Sequence, residues 1–134
     1  MQYKTLGRTG LKVSRLGFGG IPIQRVSQEE VNSIFAVCRE LGINFIDTAR
    51  GYTDSEEKIG KAIKDTRQQF YLASKSLQRS AVGLRDDLET CLSLLKTEYV
   101  DLYQLHNIST LEMWEQAQAP GGVREAVLEA QLQG

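Results

Sequence analysis

One histidine and two cysteines in 134 residues are too few for several classes of function. A zinc site draws on several Cys, His or carboxylate ligands, and His106 has no second ligand of the usual spacing beside it. Cys38 and Cys91 stand far apart and form no C-x-x-C pair. Each falls on the apolar stripe of a segment with helical spacing, where a free thiol behaves as a small hydrophobe. Such usage fits a reducing compartment, and a cytoplasmic location is expected. The chain has no run of about eighteen apolar residues, and no apolar signal core opens it, which predicts neither a membrane span nor secretion. An excess of one charge is missing too. Sixteen basic residues are offset by seventeen acidic ones spread along the chain, for a net charge of -1, which argues against nucleic acid and for small molecules or proteins as partners.

What is present is a regular alternation of short apolar runs and amphipathic segments. Residues 1–14 read as a β-hairpin around Gly7-Arg8-Thr9-Gly10, acting as a lid or plug. Arg15 to Phe18 reads as a strand ended by Gly19-Gly20, with Pro22 forbidding an immediate helix. Ser27 and Glu30 have the spacing of a capping box, and Val31, Ile34, Phe35, Cys38 and Leu41 recur on one helical face before Gly42. Three further strand-and-helix units follow, with strands at 43–47, 70–74 and 100–105. Asp54 and Glu57 repeat the capping spacing, and Trp114 is expected to pack against a neighbouring helix. Four such units predict an α/β fold with a parallel sheet, whose ligands belong at the C-terminal ends of its strands.

Those ends carry, in order, Gly19-Gly20, Asp47, Lys75 and His106. A buried carboxylate and a buried ammonium each cost several kcal/mol (on the order of 3–5) unless paired, so Asp47 and Lys75 suggest an ion pair, which by itself serves structure alone. Tyr52 lies in the loop after Asp47. A phenol beside an ammonium is tuned toward phenolate and suits general acid catalysis, and an imidazole can polarise the same carbonyl. The set fits carbonyl reduction better than hydrolysis, since it holds no activated Ser or Cys nucleophile. Each residue also has a plainer reading: His106 as a satisfied core residue, Tyr52 as a loop aromatic, Lys75 as a solvated strand cap. Gly17-Phe18-Gly19-Gly20 fits a tight βα turn better than a dinucleotide fingerprint.

Taken together, Leu6-Gly-Arg-Thr-Gly-Leu-Lys-Val-Ser, Leu16-Gly-Phe-Gly-Gly, Asp47-Thr-Ala-Arg-Gly-Tyr-Thr-Asp-Ser-Glu, Ala73-Ser-Lys-Ser and Asp101-Leu-Tyr-Gln-Leu-His resemble successive signatures of the aldo-keto reductases. The resemblance covers the whole chain. It implies a TIM-type (β/α)8 barrel that uses NADPH, or less often NADH, to reduce aldehydes and ketones. It implies Tyr52 as proton donor, Lys75 as the residue tuning it, Asp47 as partner of Lys75, and His106 as the group orienting the substrate. Gly19, Gly20 and Asp47 are the implied cofactor contacts.

A complete barrel of this type takes about 250 residues. Residues 1–134 are therefore expected to be its N-terminal half, a hairpin at 1–14 and four βα units at 15–134, with most of the cofactor site outside them. Two open sheet edges and an uncovered inner face predict self-association or a complementary half-barrel as partner. A catalytically silent (βα)4 module is the alternative to a reductase.

Overall fold

The computed structural model describes residues 1–133. An antiparallel hairpin, β1 (Tyr3–Thr5) and β2 (Lys12–Ser14), precedes a four-stranded parallel sheet. Its strands are β3 (Phe18–Gly19), β4 (Phe45–Asp47), β5 (Tyr71–Ser76) and β6 (Leu102–Leu105), and their spatial order follows the chain order. Helices α1 (Gln28–Glu40), α2 (Ser55–Ile63) and α3 (Ala81–Leu95) connect them, and α4 (Leu111–Gln118) and α5 (Val123–Gln133) follow β6. The expected α/β arrangement of four βα units is therefore present.

Local chemistry explains the element ends. The capping box at α1 is complete: Glu30 N–H donates to Ser27 Oγ, and Ser27 N–H donates to Glu30 Oε2 at 2.7 Å. Gly42, at φ +72°, ends that helix in the left-handed region, where a side chain is strained. The second capping pair behaves differently. Asp54 makes no side-chain cap bond at α2 and instead pairs with Lys58, one helical turn on, at 2.9 Å. Pro22 does not delay helical structure either, because it opens a short 3₁₀ turn over Pro22–Arg25, where its missing N–H is no loss.

Alternation along β5 sorts its side chains into two layers. Leu72 joins Phe35, Ile46, Ile59, Cys91 and Leu95 in the core between sheet and helices, while Lys75 stands on the opposite face. Both cysteines are buried free thiols in that core, as their place on the apolar stripes suggested. A smaller cluster of Leu84, Ala117, Val123 and Ala126 seats α4 and α5 on α3. Trp114 departs from expectation: it is 46% exposed, and Ala117 is the residue through which α4 packs. A small side chain permits the close helix approach that an indole would prevent.

The hairpin does not lie over the polar strand ends as a lid would. Ser14 N–H donates to Asn44 Oδ1 at 2.7 Å and Asn44 N–H donates back to Ser14 Oγ at 3.0 Å. Asn44 precedes β4, so this tie holds the hairpin at the N-terminal end of the strands, opposite the polar strand ends. Arg67 clamps the same end. It is 7% exposed, bonds Asp101 at 2.9 Å and the carbonyls of Phe70 and Tyr99, and lies over the Tyr99 ring. Among the described residues no helix is long and apolar enough to cross a membrane.

Candidate active site

Parallel pairing in register brings Asp47 beside Gly19 on one side and Ala73 on the other. Lys75 is two residues beyond Ala73 on the same face of β5, and its Nζ reaches Asp47 Oδ2 at 2.6 Å and the Thr48 carbonyl at 2.8 Å. The lysine side chain is 12% exposed and the aspartate 39%. The loop after β4 is pinned to β5 by Thr48 N–H on the Ala73 carbonyl and Arg50 N–H on the Lys75 carbonyl. Tyr52 N–H then bonds Ala49 O, turning the loop back so that the phenol ring lies 5.2 Å from Lys75 Nζ.

His106 completes the cluster from β6. Its ring meets that of Tyr52 edge to face, with centroids 5.7 Å apart. Burial holds the imidazole below its ordinary range, the Lys75 ammonium adds to this, Asp47 opposes it and Arg79 reinforces it. Nδ1 is buried without a protein hydrogen-bond partner. Asp47, Lys75 and His106, chosen from strand-end position, and Tyr52, chosen from the loop after Asp47, thus stand in one contiguous chain of contacts.

Gly19 and Gly20 sit at the neighbouring strand end with different surroundings. A Cβ at Gly19 would meet nothing within 4 Å, so the backbone there faces open space. A Cβ at Gly20 would stand 2.6 Å from Ser55 Oγ, which accounts for that glycine by packing alone.

Sequence reasoning missed the polar network behind this cluster. Glu56, 1% exposed, pairs with Arg50 of the loop after β4 and accepts from Ser74 Oγ at 2.6 Å. Ser76 Oγ donates to Asp87 of α3. The signal was available in β5: Ser74 and Ser76 alternate with Lys75, which puts two hydroxyls on the helix-facing side, where a buried donor requires a partner. Burial drives the thiol of Cys91 and the phenol of Tyr103, both in this layer, well above their usual ranges. Among the described residues no cluster of His, Cys, Asp and Glu has the form of a metal site.

Known proteins share the family and the fold of this chain. The model of the Aldo/keto reductase family matches residues 15–127. Aldo-keto reductase YhdN of Bacillus subtilis is 38% identical over 125 residues, which cover 79% of this chain and 38% of YhdN. Among solved structures, one from Pseudomonas aeruginosa assigned to the aldo-keto reductases has a TM-score of 0.90 at 30% identity, over 98% of this chain and 55% of that one. The aldo-keto reductase of Klebsiella pneumoniae, solved in complex with NADPH, has a TM-score of 0.73 at 26% identity, over 96% and 47% of the two chains. The four parallel strands with their helices correspond to about half of the TIM-type barrel of these neighbours. The chain spans less than half the length of the curated relatives it matches.

Proposed function

The chain belongs to the aldo/keto reductase family, and on that premise we propose that its strand-end cluster is the proton-donating part of an NADP(H)-dependent reduction of aldehydes or ketones. The observation that carries this reading is the run of contacts from Asp47 to Lys75, Lys75 to Tyr52 and Tyr52 to His106. Bound nicotinamide supplies the hydride in such chemistry, with NADH as the alternative to NADPH. The substrate is a small-molecule carbonyl.

Tyr52 donates its phenolic proton to the alkoxide developing on the carbonyl oxygen. Lys75, anchored by Asp47 and Thr48, places its ammonium where it stabilises the phenolate left behind. His106 is the second donor. Its lowered proton affinity keeps it neutral near pH 7, and the partnerless Nδ1 favours the tautomer with its proton on Nε2, since an orphaned acceptor is tolerated better than an orphaned N–H. Nε2–H then polarises the same carbonyl.

Gly19, Gly20 and Asp47 are proposed to meet the nicotinamide end of the cofactor. Open space at Gly19 admits a ligand against the backbone, and the half-exposed Asp47 carboxylate keeps surface for a hydroxyl donor. Gly20 shapes the turn beneath them. Residues 1–134 are proposed as the N-terminal half of the barrel, in the cytoplasm, where two buried free thiols persist.

A second reading is a catalytically silent (βα)4 module that needs a complementary half or self-association. It is favoured by β3 and β6, which end the sheet with unpaired edges. Titration with NADPH, followed by its fluorescence, separates the two: no binding up to millimolar concentration leaves only the silent module. If NADPH binds, Tyr52→Phe is expected to abolish turnover and spare cofactor affinity, and retained turnover would remove Tyr52 from its role. A monodisperse monomer in light scattering at micromolar concentration would dispose of self-association.

A further inference from the structure

His106 stands one residue past the end of β6, and the chain turns at once, with Asn107 at φ +58°. A left-handed L-residue costs on the order of 1 kcal/mol and persists where its surroundings hold it. Here they do. His106 N–H donates to the Ser76 carbonyl at 2.8 Å, and the His106 carbonyl accepts from Arg79 Nη2 at 2.7 Å. The same nitrogen reaches the Asn107 carbonyl at 3.2 Å, while Nη1 donates to the carbonyls of Leu77 at 2.8 Å and Gln78 at 3.0 Å.

Four carbonyls from the loops after β5 and β6 thus converge on one guanidinium. Among the described residues no carboxylate lies within ion-pair distance of Arg79, so this half-buried cation is held by backbone oxygens. From this geometry we propose that Arg79 is a positioning residue for His106, clamping the loop after β6 so that the imidazole keeps its edge against Tyr52. The proposal rests on the donor role given to His106 above. A planar fork with five N–H groups spans both loops, whereas a lysine ammonium is a point donor on a flexible stem. The other charged and titratable groups facing the imidazole are Lys75 of β5, Asp47 of β4 and Tyr52 of the intervening loop.

Because His106 is the only histidine, its Cε1–H gives a single imidazole signal in proton–carbon NMR of the chain, with no cofactor or turnover required. Arg79→Gln and Arg79→Lys are both expected to keep the folded spectrum yet move that signal, as the ring leaves its fixed place beside Tyr52. The titration midpoint rises in Arg79→Gln, which loses a cation and loosens the loop, and changes less in Arg79→Lys, which keeps the charge. If one variant unfolds, the other decides. Signals that superimpose on the wild type overturn the proposal, and a signal moved only in Arg79→Gln overturns it too, by reducing Arg79 to a charge. Loss of the folded spectrum in both variants makes Arg79 a general stabiliser and is equally fatal. None of these outcomes depends on Tyr52→Phe turnover, so failure here is distinct from failure of the reductase reading.

Discussion

Lys75 and Asp47 meet at 2.6 Å although the strand register sets Asp47 opposite Ala73. The ammonium leans back across two residues of β5, which also delivers it to the Thr48 carbonyl at 2.8 Å. Burial is unequal, with 12% of the lysine side chain exposed and 39% of the aspartate.

That inequality makes the two deletions of the pair unequal. Asp47→Asn leaves a largely buried ammonium with a carbonyl and an amide, and is expected to cost about 2 kcal/mol. Lys75→Met leaves a carboxylate that water reaches, and should cost less than about 1 kcal/mol. Urea denaturation of both variants measures the difference; equal losses would contradict the burial asymmetry.

Glu56 is the partner whose loss should matter most in the layer behind the site. It is 1% exposed and takes both Arg50 and Ser74. Glu56→Ala leaves the Arg50 guanidinium with only the longer contact to Asp87 at 4.0 Å and Ser74 without its acceptor, and is expected to cost about 3 kcal/mol in chemical denaturation. The exposed pair Arg85–Glu129 serves as control, and Arg85→Ala is expected to stay within about 0.5 kcal/mol of wild type.

Two glycines should respond in opposite ways to a methyl group. At Gly60 a Cβ would lie 2.2 Å from the Leu94 carbonyl oxygen and 2.7 Å from Leu95 Cα, so α2 and α3 must separate. Gly60→Ala is expected to lose about 3 kcal/mol or fail to fold. Gly19→Ala meets open space and should leave stability within about 0.5 kcal/mol, while weakening any NADPH binding seen by fluorescence.

The lowered proton affinity of His106 has a definite sign in stability. Between its folded value and the ordinary 6.5, the unfolded chain binds a proton that the folded chain does not. The contribution of His106 is therefore flat above neutrality, falls as pH drops through about 6.5, and levels off below the folded value. Urea melts from pH 7.5 down to about pH 5 should show this slope in the wild type and its loss in His106→Gln; identical slopes would refute the depression.

Local patterns carried most of the architecture. The capping box at Ser27, the stop at Gly42, the spacing of Val31, Phe35 and Cys38, and four apolar runs each reflect interactions within one or two helical turns, which neighbouring residues alone decide. The same proximity to strand ends singled out Asp47, Lys75 and His106. Pattern was weaker where two interactions compete for one side chain. Asp54 has capping spacing yet pairs with Lys58, and Trp114 has helical spacing yet yields its place to Ala117.

The rest needed three dimensions. Nothing local to Arg67, Glu56 or Arg79 separates them from solvated charges, because Asp101, Ser74 and the His106 carbonyl, which tie them into the fold, lie 34, 18 and 27 residues away in the chain. The sequence alone determined the order of βα units and the strand ends at which chemistry gathers, since these follow from periodicity and short-range turns, while the family followed from the resemblance of its motifs. Tertiary structure decided that the hairpin is tied to the N-terminal end of the sheet, that Lys75 reaches Asp47 across the register, and that one guanidinium bonds the loop bearing His106. Those outcomes depend on which segments pack together, and desolvation at those contacts is what obliges each buried charge to find its distant partner.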